Sequence, residues 1–248
     1  MKQLSKAPNT QRHSKNQLWM DELDFYKSAI QDRLKDQLTE NKSQAVQPVI
    51  EDFQNRFLNG TAQDSKRIFI KNGLEDALKN KNKLMVFEVG FGTGLNALLT
   101  LQRAQEPGQI IYYVAIEPSP LPEELINNLS FIPSFKPALQ EAFFTMHQAD
   151  FNELVILHPN FRFIKFKSTL QAFHSELETD LVYFDPFAPE KEAEVWTPKN
   201  LQKVYHLLKP GGLLVSYCTN AQFKRDLIAL GMQVDCPTGR NEMTRGRK

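Results

Sequence analysis

Cysteine is scarce in this 248-residue chain: there are two, Cys218 and Cys236, at a spacing that matches no metal-binding pattern. That argues against a disulfide framework and suggests a reducing compartment. No apolar run is long enough to span a bilayer, and Met1 to Lys6 lacks the apolar core of a secretory signal. A soluble cytoplasmic protein without a membrane partner is therefore expected. Charge of one sign is also missing. The formal net charge is +1, so bulk electrostatics neither demands nor excludes a nucleic-acid partner. There are no internal repeats. The length suits one sizeable α/β domain plus an extension.

Against this plain background one stretch carries information, Phe87-Glu88-Val89-Gly90-Phe91-Gly92-Thr93-Gly94-Leu95-Asn96. The apolar run Leu84 to Phe87 ends in an acid and then in three glycines at alternate positions, and a helical pattern restarts at once. A strand that breaks into a glycine turn and a helix lets backbone pass close to a ligand, with free N–H groups at the helix start. The third glycine comes one residue too early for the dinucleotide fingerprint G-x-G-x-x-G. A carboxylate at Glu88 would repel a pyrophosphate, whereas it suits the cationic end of S-adenosylmethionine. The stretch therefore points to that cofactor, with Glu88, Gly90, Phe91, Gly92, Thr93, Gly94 and Asn96 counted as its binding residues.

The rest of the chain frames this unit. Residues 1–15 are polar and lysine-rich and are expected to be a disordered tail. Trp19, Leu23, Tyr26, Ile30 and Leu34 recur at helical spacing. They make residues 16–57 a helical extension that packs on the main domain or on another copy. Residues 58–248 form the main domain. Ile68-Phe69-Ile70 reads as an edge strand or a helix entry. Strands are predicted at 84–89, 110–116, 161–166, 181–184 and 213–217, with 233–235 as the last. A helix is expected from Leu95 to about Arg103, Asp150 to Glu153 reads as a helix N-cap box, and Lys209-Pro210-Gly211-Gly212 reads as a turn. Strands alternating with helices predict an α/β fold, an open, mostly parallel sheet with helices on both faces.

In such a sheet ligands sit at the carboxyl ends of the strands. Three acids fall there: Glu88, Glu117 and Asp185. Glu117, after the second strand, is placed to take both ribose hydroxyls. Asp185 opens Asp-Pro-Phe-Ala-Pro, fenced by Phe187, Pro189 and, further on, Trp196. A carboxylate so placed can accept an N–H from a substrate amine, aim its lone pair and take its proton. The surrounding rings suit stacking on a base.

Several segments then occur in one order: Phe87 to Leu98, Phe184-Asp185-Pro186-Phe187-Ala188-Pro189, Glu194-Val195-Trp196-Thr197, Lys209-Pro210-Gly211-Gly212 and Gly239-Arg240-Asn241-Glu242-Met243. Together they resemble the methyltransferase of the MnmC/MnmD group, over roughly residues 57–246. The resemblance implies a class I S-adenosylmethionine-dependent methyltransferase, Rossmann-like in fold. It implies that the 5-aminomethyl group of wobble (2-thio)uridine in tRNA is methylated to 5-methylaminomethyl. Asp185 then matches the catalytic aspartate, and Arg240 and Glu242 fall on the substrate side. The partner implied is the anticodon stem-loop of tRNA, with Lys224, Arg225, Arg245, Arg247 and Lys248 available to its phosphates.

The chain has no second glycine fingerprint, so it resembles the stand-alone form, with no flavin and no metal expected. It departs from the group in two places. Phe57 to Ala62 lacks the histidines usual before the first strand. Lys167-Ser168-Thr169 stands where an acid commonly meets adenine, leaving Ser168 for that contact. Two other readings stay open. One is a class I methyltransferase or aminopropyltransferase-like enzyme on a small amine; the other is a cofactor-binding interaction protein with lost catalysis.

Overall fold

The computed structural model describes residues 62–79, 81–239 and 242–248. The predicted tail 1–15, the helical extension 16–57, the boundary at 58 and Arg240 lie outside the described residues.

The chain enters as one helical segment, α1, over residues 62–77. It starts as Ala62–Ser65, widens into a π-helix over Lys66–Leu74 and closes with Glu75–Ala77. Ile68-Phe69-Ile70 is therefore helix and not an edge strand. The wide turns bury Ile68, Phe69 and Leu74 against the sheet. At Gly73 a Cβ would meet Val215 Cγ2 at 3.0 Å, so a larger residue would push the helix off the neighbouring strand.

The strands are β1 (Lys83–Val89), β2 (Ile110–Ile116), β3 (Val155–His158), β4 (Phe161–Phe166), β5 (Thr179–Phe184), β6 (Leu208–Ser216), β7 (Gln233–Asp235) and β8 (Thr244–Arg247). They form one sheet in the order β3-β4-β2-β1-β5-β6-β8-β7. The five strands from β4 to β6 run parallel. β4 and β5 are buried at every residue, and β1 and β2 at every residue after the first. Continuous apolar runs are what a sheet covered on both faces requires. One face is covered by α1, α2 (Leu95–Ala104) and α4 (Pro137–Gln148), the other by α5 (Pro198–Leu207) and α6 (Ala221–Ala229). A short helix, α3 (Glu123–Asn127), follows β2. Strand order reverses at β1, between β2 and β5, the switch point whose carboxyl-end crevice takes ligands in open sheets of this kind.

Three local expectations change. Asp150 to Glu153 is a turn leading into β3. Asn152 sits at φ 68 and donates its N–H to Lys165 O at 2.8 Å, which ties the segment to β4 instead of starting a helix. Lys209 to Gly212 is absorbed into β6, with a register shift against β5. Gln233–Asp235 is not the last strand, because β8 follows and pairs antiparallel with both β6 and β7. β8 reads Thr-Arg-Gly-Arg and has no apolar run to announce it. Its Gly246 fits under Met232, whose Cε would lie 3.0 Å from a Cβ.

Candidate active site

The glycine turn closes β1 at the crevice. Gly90 N and Phe91 N donate to Ile116 O at 3.1 and 3.2 Å, so the turn is stapled to the end of β2. Gly90 has φ 87, and a Cβ there would lie 2.9 Å from Asp185 O. This glycine is demanded by close approach to the end of β5, independent of any ligand. Gly92 differs: it has φ 50 and nothing within 4 Å of a built Cβ. It fronts open space, the condition for a ligand to lie against backbone. Gly94 caps α2 in the left-handed region, with φ 73.

Two side chains hold the turn from behind. Phe91 is buried against Phe163 and His147. His147, on α4, donates Nε2–H to Thr93 O at 3.1 Å. Burial pulls His147 down to about 4; the bond to Thr93 O opposes this, and the nearby Lys165 charge adds to the burial. Lys165 is itself buried, its ammonium bonded to His147 O and lying near the Phe91 and Phe151 rings; burial lowers it to about 8. Neither residue was legible from the sequence. His147 is one polar position on an amphipathic helix, and Lys165 interrupts an apolar strand without any motif around it.

Glu117 follows β2. Its carboxylate accepts from Gly92 N at 2.9 Å and from Ser119 N at 2.8 Å. Burial pushes it up to about 7 against those two bonds. It thus stands at the glycine turn, beside the open space of Gly92.

Glu88, counted from the sequence among the cofactor-binding residues, lies near the end of β1. It is 1% exposed and lies beneath the turn, among Tyr113 of β2, Asn96 of α2 and Asp185. Asn96 Nδ2 donates to Glu88 Oε1 at 3.1 Å and to Asp185 Oδ2 at 2.9 Å. One amide bridges two carboxyl groups. Burial raises Glu88 well above the carboxylate range; the Asp185 and Glu117 charges add to this, while Tyr113 and Asn96 oppose it. The Tyr113 hydroxyl lies close enough to the Glu88 carboxyl to act on it, yet neither Tyr113 Oη nor Glu88 Oε2 completes a hydrogen bond.

Asp185 is half-buried at the end of β5, its N–H on Val89 O at 3.1 Å. Aromatic residues hold the loop after it by its carbonyls. Tyr217 Oη donates to Pro186 O at 2.8 Å, and Trp196 Nε1 donates to Phe187 O at 2.8 Å. The Trp196 ring packs edge-on against Phe184 and Phe223 and is only 8% exposed. It braces the loop from the core and offers no open face for stacking on a base. Phe187 and Pro189 are half-exposed beside Asp185 in sequence.

Ser168 follows β4, buried, with its hydroxyl turned to Thr169 O at 3.0 Å. Glu242 pairs with Arg67 of α1. Three of the five basic residues offered to phosphates are paired within the protein. Arg245 pairs with Asp235 and Asp76, Arg247 with Asp76, and Lys248 donates to the carbonyls of Tyr205 and Leu208. Arg247 lies opposite Leu213 and Thr244 opposite Ser216 in the β6–β8 ladder. Arg247 and Lys248 therefore stand at the amino ends of the strands, away from the crevice.

Among the described residues, no group of three or more His, Cys, Asp and Glu is arranged to hold a metal ion, and no helix is long and apolar enough to cross a membrane.

Residues 138–248 match the family described as S-adenosyl-L-methionine-dependent methyltransferase. The bifunctional protein MnmC of Leptospira interrogans, named for tRNA 5-methylaminomethyl-2-thiouridine biosynthesis, is 29% identical over 196 residues, covering 73% of this chain and 30% of its own length. MnmC of Campylobacter hominis is 25% identical over 208 residues, covering 78% of this chain and 30% of its own length. The chain thus spans about a third or less of the curated relatives it matches. The crystal structure of MNMC2 from Aquifex aeolicus superposes with a TM-score of 0.56 at 16% identity, covering 90% of this chain and 83% of that one. The fold is that of a class I S-adenosylmethionine-dependent methyltransferase, and the chain is related to the MnmC family.

Proposed function

We propose that this chain uses S-adenosylmethionine to methylate the 5-aminomethyl group of wobble (2-thio)uridine in tRNA, giving 5-methylaminomethyl-(2-thio)uridine. The observation that carries the reading is the Asp185 carboxylate, held by Asn96 at the end of β5 and packed through its own backbone against Gly90 of the glycine turn. Residues 58–248 are the catalytic unit in this reading, and the anticodon stem-loop is its partner.

The residues present fit the cofactor. Gly92 fronts open space, and the Glu117 carboxylate beside it suits a pair of ribose hydroxyls. Gly90, Phe91, Thr93 and Gly94 shape the turn, and Ser168 stands at the neighbouring strand end. When bound, S-adenosylmethionine supplies a methyl group activated by attachment to a sulfonium. The chain's own task is on the acceptor side. A primary amine attacks only when neutral, and Asp185 is placed to accept an N–H bond from it and to take its proton. In-line displacement also demands orientation, which a carboxylate fixed by Asn96 supplies. Phe187 and Pro189 flank the acceptor, and Trp196 acts through the Phe187 carbonyl it holds.

Nucleoside mass spectrometry of tRNA from cells lacking the protein tests the reading. Accumulated 5-aminomethyl nucleoside, reversed by the wild-type gene but not by Asp185→Ala, is the expected result. Unchanged wobble modification overturns it.

A further inference from the structure

The carboxyl group of Glu88 sits in a pocket that is one hydrogen-bond donor short. Both hydrogens of the Asn96 amide are spent, one on Glu88 Oε1 and one on Asp185 Oδ2. Three atoms in the same place, Glu88 Oε2, Asn96 Oδ1 and Tyr113 Oη, are buried without a partner. The first two are acceptors, and Tyr113 brings a single O–H for both. Turning the Asn96 amide over does not help, because it would set Oδ1 against two carboxyl groups. Among the described residues, the neighbours that act on this place supply no donor either. The Thr100 hydroxyl donates to Asn96 O and is shared with Tyr183. The charged groups acting on Glu88 are Glu117 at the end of β2 and Asp185 at the end of β5, both acids.

We propose that Glu88 carries a proton in the working protein and acts as a neutral positioning residue, which holds the Asn96 amide in place so that it fixes the Asp185 carboxylate. It does not face the cofactor as a negative charge. One proton closes the donor count: Glu88 Oε2 turns from acceptor into donor, and the O–H groups of Glu88 and Tyr113 together then supply the Asn96 oxygen. It also removes the repulsion between two carboxylates that share one amide, leaving the negative charge on the half-exposed member, where a proton from the substrate can reach it. The strong upward push that burial exerts on Glu88 agrees with this assignment. The part concerning Asp185 rests on the methyl-transfer reading above; the proton on Glu88 does not.

Infrared difference spectroscopy of the intact protein near neutral pH, wild type against Glu88→Gln, tests the proton directly. The carbonyl stretch of a protonated carboxylic acid is expected in the wild type, shifted in deuterium oxide and missing from E88Q. Its absence from the wild type overturns the proposal. Calorimetric titration with S-adenosylmethionine gives the second readout. Glutamine reproduces a neutral acid, accepting at one atom and donating at the other, so E88Q is expected to bind within about threefold of wild type. A carboxylate held against the cofactor would cost E88Q tenfold to about a hundredfold in affinity, and that outcome also overturns the proposal. Should E88Q fail to fold, Tyr113→Phe replaces it, with the acid band expected to shift and an unmoved band counting against the assignment. Neither readout involves tRNA, so loss of the proposed substrate would leave both intact.

Discussion

The Asn96 side-chain amide and the Asp185 carboxylate, 89 positions apart in the chain, meet at 2.9 Å at the mouth of the crevice. The glycine turn and the strand-end acid are thereby joined by a polar contact as well as by the backbone approach at Gly90. The contact aims Asp185 from the first turn of α2, the helix into which the glycine turn leads.

Asp185→Ala should abolish turnover, a loss of at least about 100-fold, while largely keeping affinity for S-adenosylmethionine. Asn96→Ala should lower kcat by about 10- to 100-fold through misorientation of the same carboxylate. Methyl incorporation into undermodified tRNA, measured beside calorimetric cofactor binding, checks both. Full activity in the Asp185 variant would remove it from its role.

Gly90 and Gly92 should fail in different ways. Gly90→Ala forces a Cβ against Asp185 O at a positive φ, so it should lower stability by about 2 kcal/mol or more. Gly92→Ala meets nothing in the protein and pays only for backbone strain, about 1 kcal/mol. Its Cβ fills the space proposed for the cofactor, so affinity should fall at least about tenfold. Thermal melts paired with cofactor titrations separate the two.

Cofactor affinity should depend on pH through Glu117, which burial raises to about 7. The ionised carboxylate is the form that accepts two hydroxyl bonds, so affinity should fall as pH drops through about 7. For the free protein the sign is opposite. A folded pKa above the ordinary value stabilises the fold at low pH, and that contribution is lost as pH rises through about 7. Calorimetry and denaturant melts across this range, with Glu117→Gln as the flat control, test both slopes.

His147 should make the fold sensitive to acid. It is neutral in the folded protein down to about 4, against an ordinary value of 6.5. The unfolded chain takes up the proton first, so stability is full above about 6.5 and falls as pH drops toward 4. The contribution is on the order of 2 kcal/mol, allowing for partial exposure. Urea melts of wild type and His147→Gln should converge over that window, and parallel curves would show that His147 is not responsible.

Much of the parallel sheet is legible because its physics is local. The runs 84–89 and 110–116 are continuously apolar because both faces of those strands are covered. The antiparallel edges are different. β3 is half-exposed and β8 reads Thr-Arg-Gly-Arg; each is a strand only because β4 or β6 offers it a ladder. The same holds for Asp150 to Glu153, where the local signal for a helix start loses to one long-range bond from Asn152 to Lys165.

The sequence alone determined the kind of fold, the glycine turn after β1 and the three acids at the strand ends, since strand, turn and helix signals act over a few residues. The tertiary structure decided what each acid has around it. Glu88, Glu117 and Asp185 are equivalent as letters. Packing leaves Asp185 half-exposed, gives Glu117 two backbone donors and buries Glu88 beneath the turn with a donor missing. Burial and hydrogen-bond supply set the charge of a carboxyl group, and both depend on segments far away in the chain.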